Sequence, residues 1–203
     1  EISVRDWSSD VCSSDLAEAF QIPLRILEDQ GRPAVCRARL WWSREGDTFI
    51  ASVSLDLAEP ASLVPVNSID TRSSYLLIPA GRTYQVTRED EHLDVLAPLM
   101  RRAYLPGKVA FYATLHTVER AGPRSTNQVV SVYIDGHEIG ELTKQSSAKL
   151  MPLVRPMESA GISCYTEVVL TGNTLAVEAR VHVTPAEELA PEFLAQLDEV
   201  MHR

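Results

Sequence analysis

Apolar and polar residues alternate along most of this chain, and that alternation constrains the fold more than any other feature. Residues 48–57 and 109–118 each place their apolar side chains at every second position. A period of two is typical of β-strands that bury one face. We therefore expect an α+β protein that is mostly β, with a few short helices.

Strand pairs are indicated where two alternating runs flank a short turn. Residues 34–42 and 48–57 lie on either side of a turn that contains Gly46, and Asp135-Gly136 separates residues 129–134 from residues 137–142. Asp-Gly favours the positive φ angles of a tight hairpin. Gly140, in the returning strand, predicts a bulge or a close backbone approach. A last hairpin is expected to turn at residues 171–173, and residues 22–27 also read as a strand.

Three segments have helical spacing instead. Residues 87–90 (Thr-Arg-Glu-Asp) have the form of a capping box before the leucines of residues 93–100. Residues 143–159 predict a short helix that gives way to an irregular turn, because prolines interrupt the pattern. Residues 185–203 predict an acidic amphipathic helix, broken at Pro191.

The N-terminal residues stand apart from this pattern. Residues 5–16 match, codon for codon, the translation of a sequencing-library adapter, so the natural sequence is expected to begin near Ala17. The alternative is a genuine Ser- and Asp-rich tail. We accordingly divide the chain into an artefact (1–16), a β-rich module that ends in a helix (17–106), a second β-rich module (107–184) and the C-terminal helix (185–203).

Charge and cysteine content exclude few function classes. The net charge is −9, but much of it lies at the two ends, which leaves the body nearly neutral and without a basic patch. Cys36 and Cys164 lie in apolar strand-like runs and are expected to be structural thiols, although a disulfide or a reactive thiol is an alternative. This favours a reducing, cytoplasmic setting. No apolar run is long enough to span a membrane.

Motifs for chemistry are missing from the sequence. No nucleotide-binding, zinc-protease or serine-hydrolase signature is present, and the five histidines have no ligand spacing. We therefore expect a non-enzymatic protein without metal or cofactor.

Residues 131–142, followed by the helical segment from Thr143, form the sharpest local pattern. A strand, a Gly turn, the run Ile139-Gly140-Glu141-Leu142 and then Ala148-Lys149-Leu150 resemble the HIRAN module, a small β-barrel. The resemblance covers about residues 108–184. The whole chain is also similar to an uncharacterised bacterial family that joins a β-rich N-terminal region to this module.

The resemblance implies binding of single-stranded DNA or DNA ends. The family carries an Asn-Pro-aromatic-Asp stretch before these strands, but residues 122–128 retain only Asn127 from it. Cationic and stacking groups would have to supply the groove. The candidates are Tyr112, Arg124, Asn127, Tyr133, Lys144 and Lys149. The alternative is a protein-interaction or structural role, in which edge strands or the acidic helix dock a partner.

Overall fold

The computed structural model describes residues 13–32, 37–45, 48–56, 64–103, 105–121 and 126–201. They fall into two compact units, Glu1–Val64 and Pro65–Arg203. The sequence-based boundary at residues 106/107 differs from this division. Residues 75–77 and 82–87 belong to the same sheet as the strands after Gly107, because their partners lie far along the chain.

The first unit contains a helix and a hairpin. Helix α1 spans Ser13–Asp29, and strands β1 (Arg37–Glu45) and β2 (Thr48–Asp56) pair antiparallel from Arg37↔Asp56 to Glu45↔Thr48. The hairpin prediction is confirmed. The strand predicted at residues 22–27 is wrong, because Phe20, Leu24 and Leu27 also fit the spacing of a helix, and six alternating residues do not separate the two periods.

The second unit is built on a closed barrel. Its strands are β3 (Tyr75–Leu77), β4 (Arg82–Thr87), β5 (Lys108–Ala121), β6 (Thr126–Ile134), β7 (His137–Leu142), β8 (Ser163–Asn173) and β9 (Ala176–Val183). Six of them close in the order β8-β5-β6-β7-β4-β9, since β9 pairs back onto β8. Strand β3 is extra and lies parallel to β8. The mostly β prediction is confirmed.

Apolar side chains fill the barrel and pack under its helices. In β5 and β6 every second residue belongs to the hydrophobic core, as the period of two predicts: Val109, Phe111, Ala113, Leu115, Val130, Val132 and Ile134. The largest side chains with almost no exposed surface are Phe111, Ile78, Leu96, Leu115, Ile134, Ile139, Leu142, Leu150, Leu153, Met157, Leu170 and Val86.

The β6–β7 turn matches the sequence prediction. Asp135 and Gly136 have φ angles of 50° and 82°. Gly140 has φ 143° and lies at a register shift opposite Val132/Tyr133, where an added Cβ would lie 2.5 Å from the Thr87 carbonyl oxygen. The close approach of β4 therefore requires glycine there.

The capping box predicted at Thr87 is wrong. Thr87 is the last residue of β4, and its hydroxyl donates to the Glu141 carbonyl oxygen at 2.7 Å. Pairing with β7 thus occupies the group that would have capped a helix. A 3₁₀ turn (Glu89–His92) follows Arg88, which has φ 68°, and leads into α2 (Leu93–Met100).

Helix α3 (Lys144–Ser159) continues through both of its prolines, so the predicted irregular turn is wrong. Thr143 caps it by accepting from the Ser146 backbone N–H at 3.2 Å. Its buried stripe of Leu150, Leu153, Val154 and Met157 outweighs the hydrogen bonds that Pro152 and Pro156 remove.

The C-terminal helix α4 (Pro191–Met201) begins at the proline that was expected to break it. Proline is favoured in a first helical turn, because the backbone N–H that it lacks would have no helical partner there. A separate 3₁₀ turn, Ala186–Glu188, precedes it. The last hairpin is longer than predicted and turns at residues 174–175.

Candidate functional site

Tyr112, a predicted stacking residue, is not accessible. Its side chain lies on β5 and is 4% exposed. The Asn67 side chain accepts from the Tyr112 N–H at 2.7 Å and donates to its carbonyl oxygen at 2.9 Å. Residues 65–67 thus pair with the backbone of this part of β5. Because so little of the Tyr112 ring is exposed, it cannot stack on a base.

Tyr133 lies half-buried on β6 and is already engaged by neighbours. Its ring meets the His116 ring edge-on, with centroids 5.0 Å apart, and its hydroxyl donates to Glu138 Oε2 at 3.4 Å. Burial raises the pKa of Tyr133, and the Glu138 carboxylate adds to the effect. Arg124 lies outside the described residues.

Asn127 and Lys144 are the two predicted residues that the structure brings together. Lys144 Nζ donates to Asn127 Oδ1 at 3.2 Å and so connects the first residue of α3 to the beginning of β6. They line an open groove of about 420 Å³ with Glu119, Thr126, Gln128, Ala148 and Met151, which we call the α3 groove. Lys149, on the same helix, is not among the described residues that line it.

A larger groove, which we call the β9 groove, has a volume of about 1030 Å³. It exists because β4 changes partner. Gln85 is the last β4 residue paired with β9, opposite Arg180, whereas Val86 and Thr87 pair with β7. The lining residues are Gln85, Val86, Thr87, Arg88, Glu89, Asp90, Leu93, Thr171, Gly172, Asn173, Leu175, Ala176, Val177, Glu178 and Arg180.

The departure of β4 leaves an open strand edge in this groove. Among the described residues, no strand pairs with residues 176–179 on the side away from β8. Instead, the Ala179 N–H donates to Glu89 Oε1 at 3.3 Å. Because edge-facing groups alternate along a strand, the N–H and C=O of Val177 face the same side.

An exposed leucine forms the lip of the β9 groove. Leu175 is 84% exposed at the tip of the β8–β9 hairpin, where Asn173 Oδ1 accepts from its backbone N–H at 2.8 Å. Val177, by contrast, is 8% exposed. The groove thus combines an apolar lip, backbone groups on an open edge and charged walls.

No family model, curated protein or solved structure matches this chain.

A charged network joins β5, β7 and the 3₁₀ turn that follows β4, beside a cavity of about 80 Å³. Arg120 binds Glu138 and, at 2.8 Å, Glu141, while Arg88 binds Glu91 at 2.6 Å and Glu141 at 3.5 Å. The hydrogen bond to Glu141 raises the pKa of Arg120, although burial opposes the rise. These groups satisfy one another, so the network holds strands together.

His116 also lies between a carboxylate and a hydroxyl. Its Nδ1 is 3.3 Å from Glu158 Oε1, and its Nε2 is 3.1 Å from Thr114 Oγ1. Glu158 in addition accepts from the Thr117 N–H at 3.0 Å and thereby fastens α3 to β5. Neither the α3 groove nor the β9 groove is lined by these residues, so we assign the cluster to structure.

Within the described ranges, no three His, Cys, Asp or Glu side chains are grouped so as to hold a metal ion. Nor does any described helix have the length and apolar character needed to cross a bilayer.

Sequence reasoning missed the β9 groove. Its walls come from residues 85–93 and 171–180, which are brought together only when the barrel closes. One local signal was present, because Leu175 lies two residues after the predicted turn at residues 171–173, near the end of a hairpin where few neighbours can bury a leucine.

Proposed function

We propose that this chain is a protein-interaction module that binds an extended polypeptide segment along β9. The observation that carries the proposal is the open edge at residues 176–179 inside the β9 groove. An unpaired edge offers N–H and C=O groups to an added strand, and side-chain contacts beside it supply specificity.

An added strand would continue the line of β4. Strand β4 runs antiparallel to β9 as far as Gln85, so a peptide antiparallel to β9 would occupy the position that β4 vacates at Val86. Four residues of edge span about 13 Å. Partial burial of Leu175 by the peptide would add an apolar contribution of about 1–2 kcal/mol.

The test is an NMR titration of the isotope-labelled chain with an uncharged octapeptide of alternating threonine and valine. We expect the largest shift changes at the amides of Val177 and Ala179, and binding that is weaker by about tenfold in Leu175→Ser. The same peptide with N-methyl groups on alternate residues cannot donate along one edge and is the matched control. Shift changes that avoid β9, or equal binding of the methylated peptide, would contradict the proposal.

Binding of single-stranded DNA or DNA ends by a HIRAN-like barrel is the second candidate. The Lys144–Asn127 pair in the α3 groove favours it, since a cation and an amide beside a strand can contact a phosphate. In both candidates the module is non-enzymatic and works in the bacterial cytoplasm, as expected from the sequence.

The DNA candidate is tested by fluorescence anisotropy with a labelled single strand that has a free 3′ end. Binding should weaken at least several-fold between about 50 and 200 mM salt. Lys144→Ala should reduce it, whereas Lys108→Ala, an exposed lysine on β5 outside the α3 groove, should not. An equal loss in both variants would indicate non-specific charge attraction instead.

A further inference from the structure

We infer that the β9 groove selects an extended segment in which a basic residue stands next to an apolar one. The inference rests on the proposed function, because it names the partner chemistry of the same groove. It is carried by the unequal pairing of the charges in the groove walls, together with the exposed lip at Leu175.

The cations of the groove are already neutralised. Arg88 binds Glu91 and Glu141, which lie outside the groove lining. Arg180 binds Glu178 at 3.1 Å. An acidic ligand would therefore have to displace an existing ion pair before it could bind either arginine.

The groove anions Glu89 and Asp90 are paired differently. Glu89 accepts only from neutral donors among the described residues: Gln85 Nε2 at 3.0 Å and the Ala179 N–H at 3.3 Å. Asp90 has no ion pair within that same part of the chain. Among the described residues, then, Glu89 and Asp90 have no cationic partner, whereas both groove arginines bind carboxylates, so the walls are complementary to a positive charge.

The Glu89 carboxylate occupies a hydrogen-bonding position on the β9 edge that the backbone of a neighbouring strand would otherwise take. Its carboxylate oxygen accepts from the Ala179 N–H, the group to which a neighbouring strand would present a backbone carbonyl. A docking peptide would supply that carbonyl and release Glu89. The freed carboxylate would then lie beside the peptide, where a lysine or arginine side chain can bind it.

The alternating direction of side chains along a strand explains why an apolar residue should stand next to the basic residue of the peptide. Successive side chains of a strand point to opposite sides, so a basic residue directed at Glu89 and Asp90 leaves the next one directed to the other side. The apolar groups available to it include Leu175 and Leu93, which line the same groove. Basic and apolar residues in alternation therefore fit the groove best.

The experiment compares three octapeptides on the full chain by isothermal titration: Lys–Val, Thr–Val and Glu–Val repeats. We expect Lys–Val to bind about tenfold more tightly than Thr–Val at low salt, with Glu–Val weakest, and the difference to shrink at high salt. If Lys–Val and Thr–Val bind equally, the inference fails and the proposed function stands. If none of the three binds, the proposed function fails.

Variants separate the groove from the general negative charge of the chain. Glu89→Gln with Asp90→Asn keeps the size of both side chains and one acceptor oxygen on each but removes their charges. We expect it to remove most of the Lys–Val advantage while Thr–Val binding is retained. Glu192→Gln, an exposed acid on α4, is the control and should leave the advantage intact. An equal loss in the control would overturn the inference.

Discussion

The side chain of Asn67 pairs with the backbone of Tyr112 as a neighbouring strand would. Its oxygen accepts from the Tyr112 N–H and its amide nitrogen donates to the Tyr112 carbonyl oxygen, at 2.7 and 2.9 Å. The same nitrogen donates to Asp135 Oδ1 at 2.8 Å. One buried amide therefore ties residues 65–67 to β5 and to the β6–β7 turn.

Replacement of this amide should destabilise the barrel. Asn67→Ala removes the side-chain hydrogen bonds to the Tyr112 N–H and C=O at a buried position, which costs about 1–3 kcal/mol. Chemical denaturation, followed by far-ultraviolet circular dichroism, measures the change in the free energy of unfolding. Asn127→Ala, at a less buried position, is the matched control and should cost less than about 0.5 kcal/mol. Similar losses in the two variants would contradict the role of Asn67.

Gly140 should tolerate substitution far less well than Gly136. Both have positive φ, but an added Cβ at Gly136 meets nothing within 4 Å, whereas at Gly140 it lies 2.5 Å from Thr87 O and 2.6 Å from Val86 Cγ1. Gly136→Ala should cost about 1–2 kcal/mol. Gly140→Ala should cost clearly more, measured as the shift in the urea midpoint, because β4 must move away from β7. Equal costs would show that conformation alone requires Gly140.

The sequence predicted those features that depend on local backbone geometry. Asp135-Gly136 and Gly140 were identified correctly, because the residues that require positive φ lie within a few positions of one another. The prolines of α3 misled the prediction because burial of Leu150, Leu153 and Met157 depends on strands distant in sequence.

The candidate site, too, depends on contacts between residues that are distant in sequence, which local patterns do not reveal. Tyr112 was chosen for its aromatic side chain, yet that side chain is 4% exposed in the folded barrel, and its backbone is paired by Asn67, 45 residues earlier. The open edge of β9 arises from the change of partner between Gln85 and Val86. No local pattern marks such a change, since β4 alternates without interruption through it.

Stability should fall with rising pH because of Cys164. Its thiol is free and 1% exposed, and burial raises its pKa well above the ordinary value. Above the unfolded value of about 8.5, the unfolded thiol loses its proton while the folded one keeps it, so deprotonation favours unfolding.

The expected slope is a loss of about 1.4 kcal/mol per pH unit above that value. Urea titrations between about pH 8 and pH 10, compared with Cys164→Ala, isolate the contribution of this thiol. The variant should be less stable at neutral pH because of its cavity, but its pH slope should be shallower. Parallel slopes in the two proteins would exclude the buried thiol as the cause.

Two arginines test whether the charged network contributes to stability. Arg120 is 35% exposed and contacts Glu138 and Glu141, which are 20% and 14% exposed, whereas Arg72 is 89% exposed and binds Asp70 alone. Arg120→Ala leaves two shielded carboxylates without that cation and should cost about 1–3 kcal/mol. Arg72→Ala breaks a solvent-exposed pair and should cost less than about 0.5 kcal/mol.

Thermal unfolding at low and high salt measures the stability lost in each variant. The loss in Arg120→Ala should persist in high salt because the carboxylate partners of Arg120 are shielded from solvent. If salt abolished that loss, the network would be a surface ion pair that contributes little to joining β5 and β7.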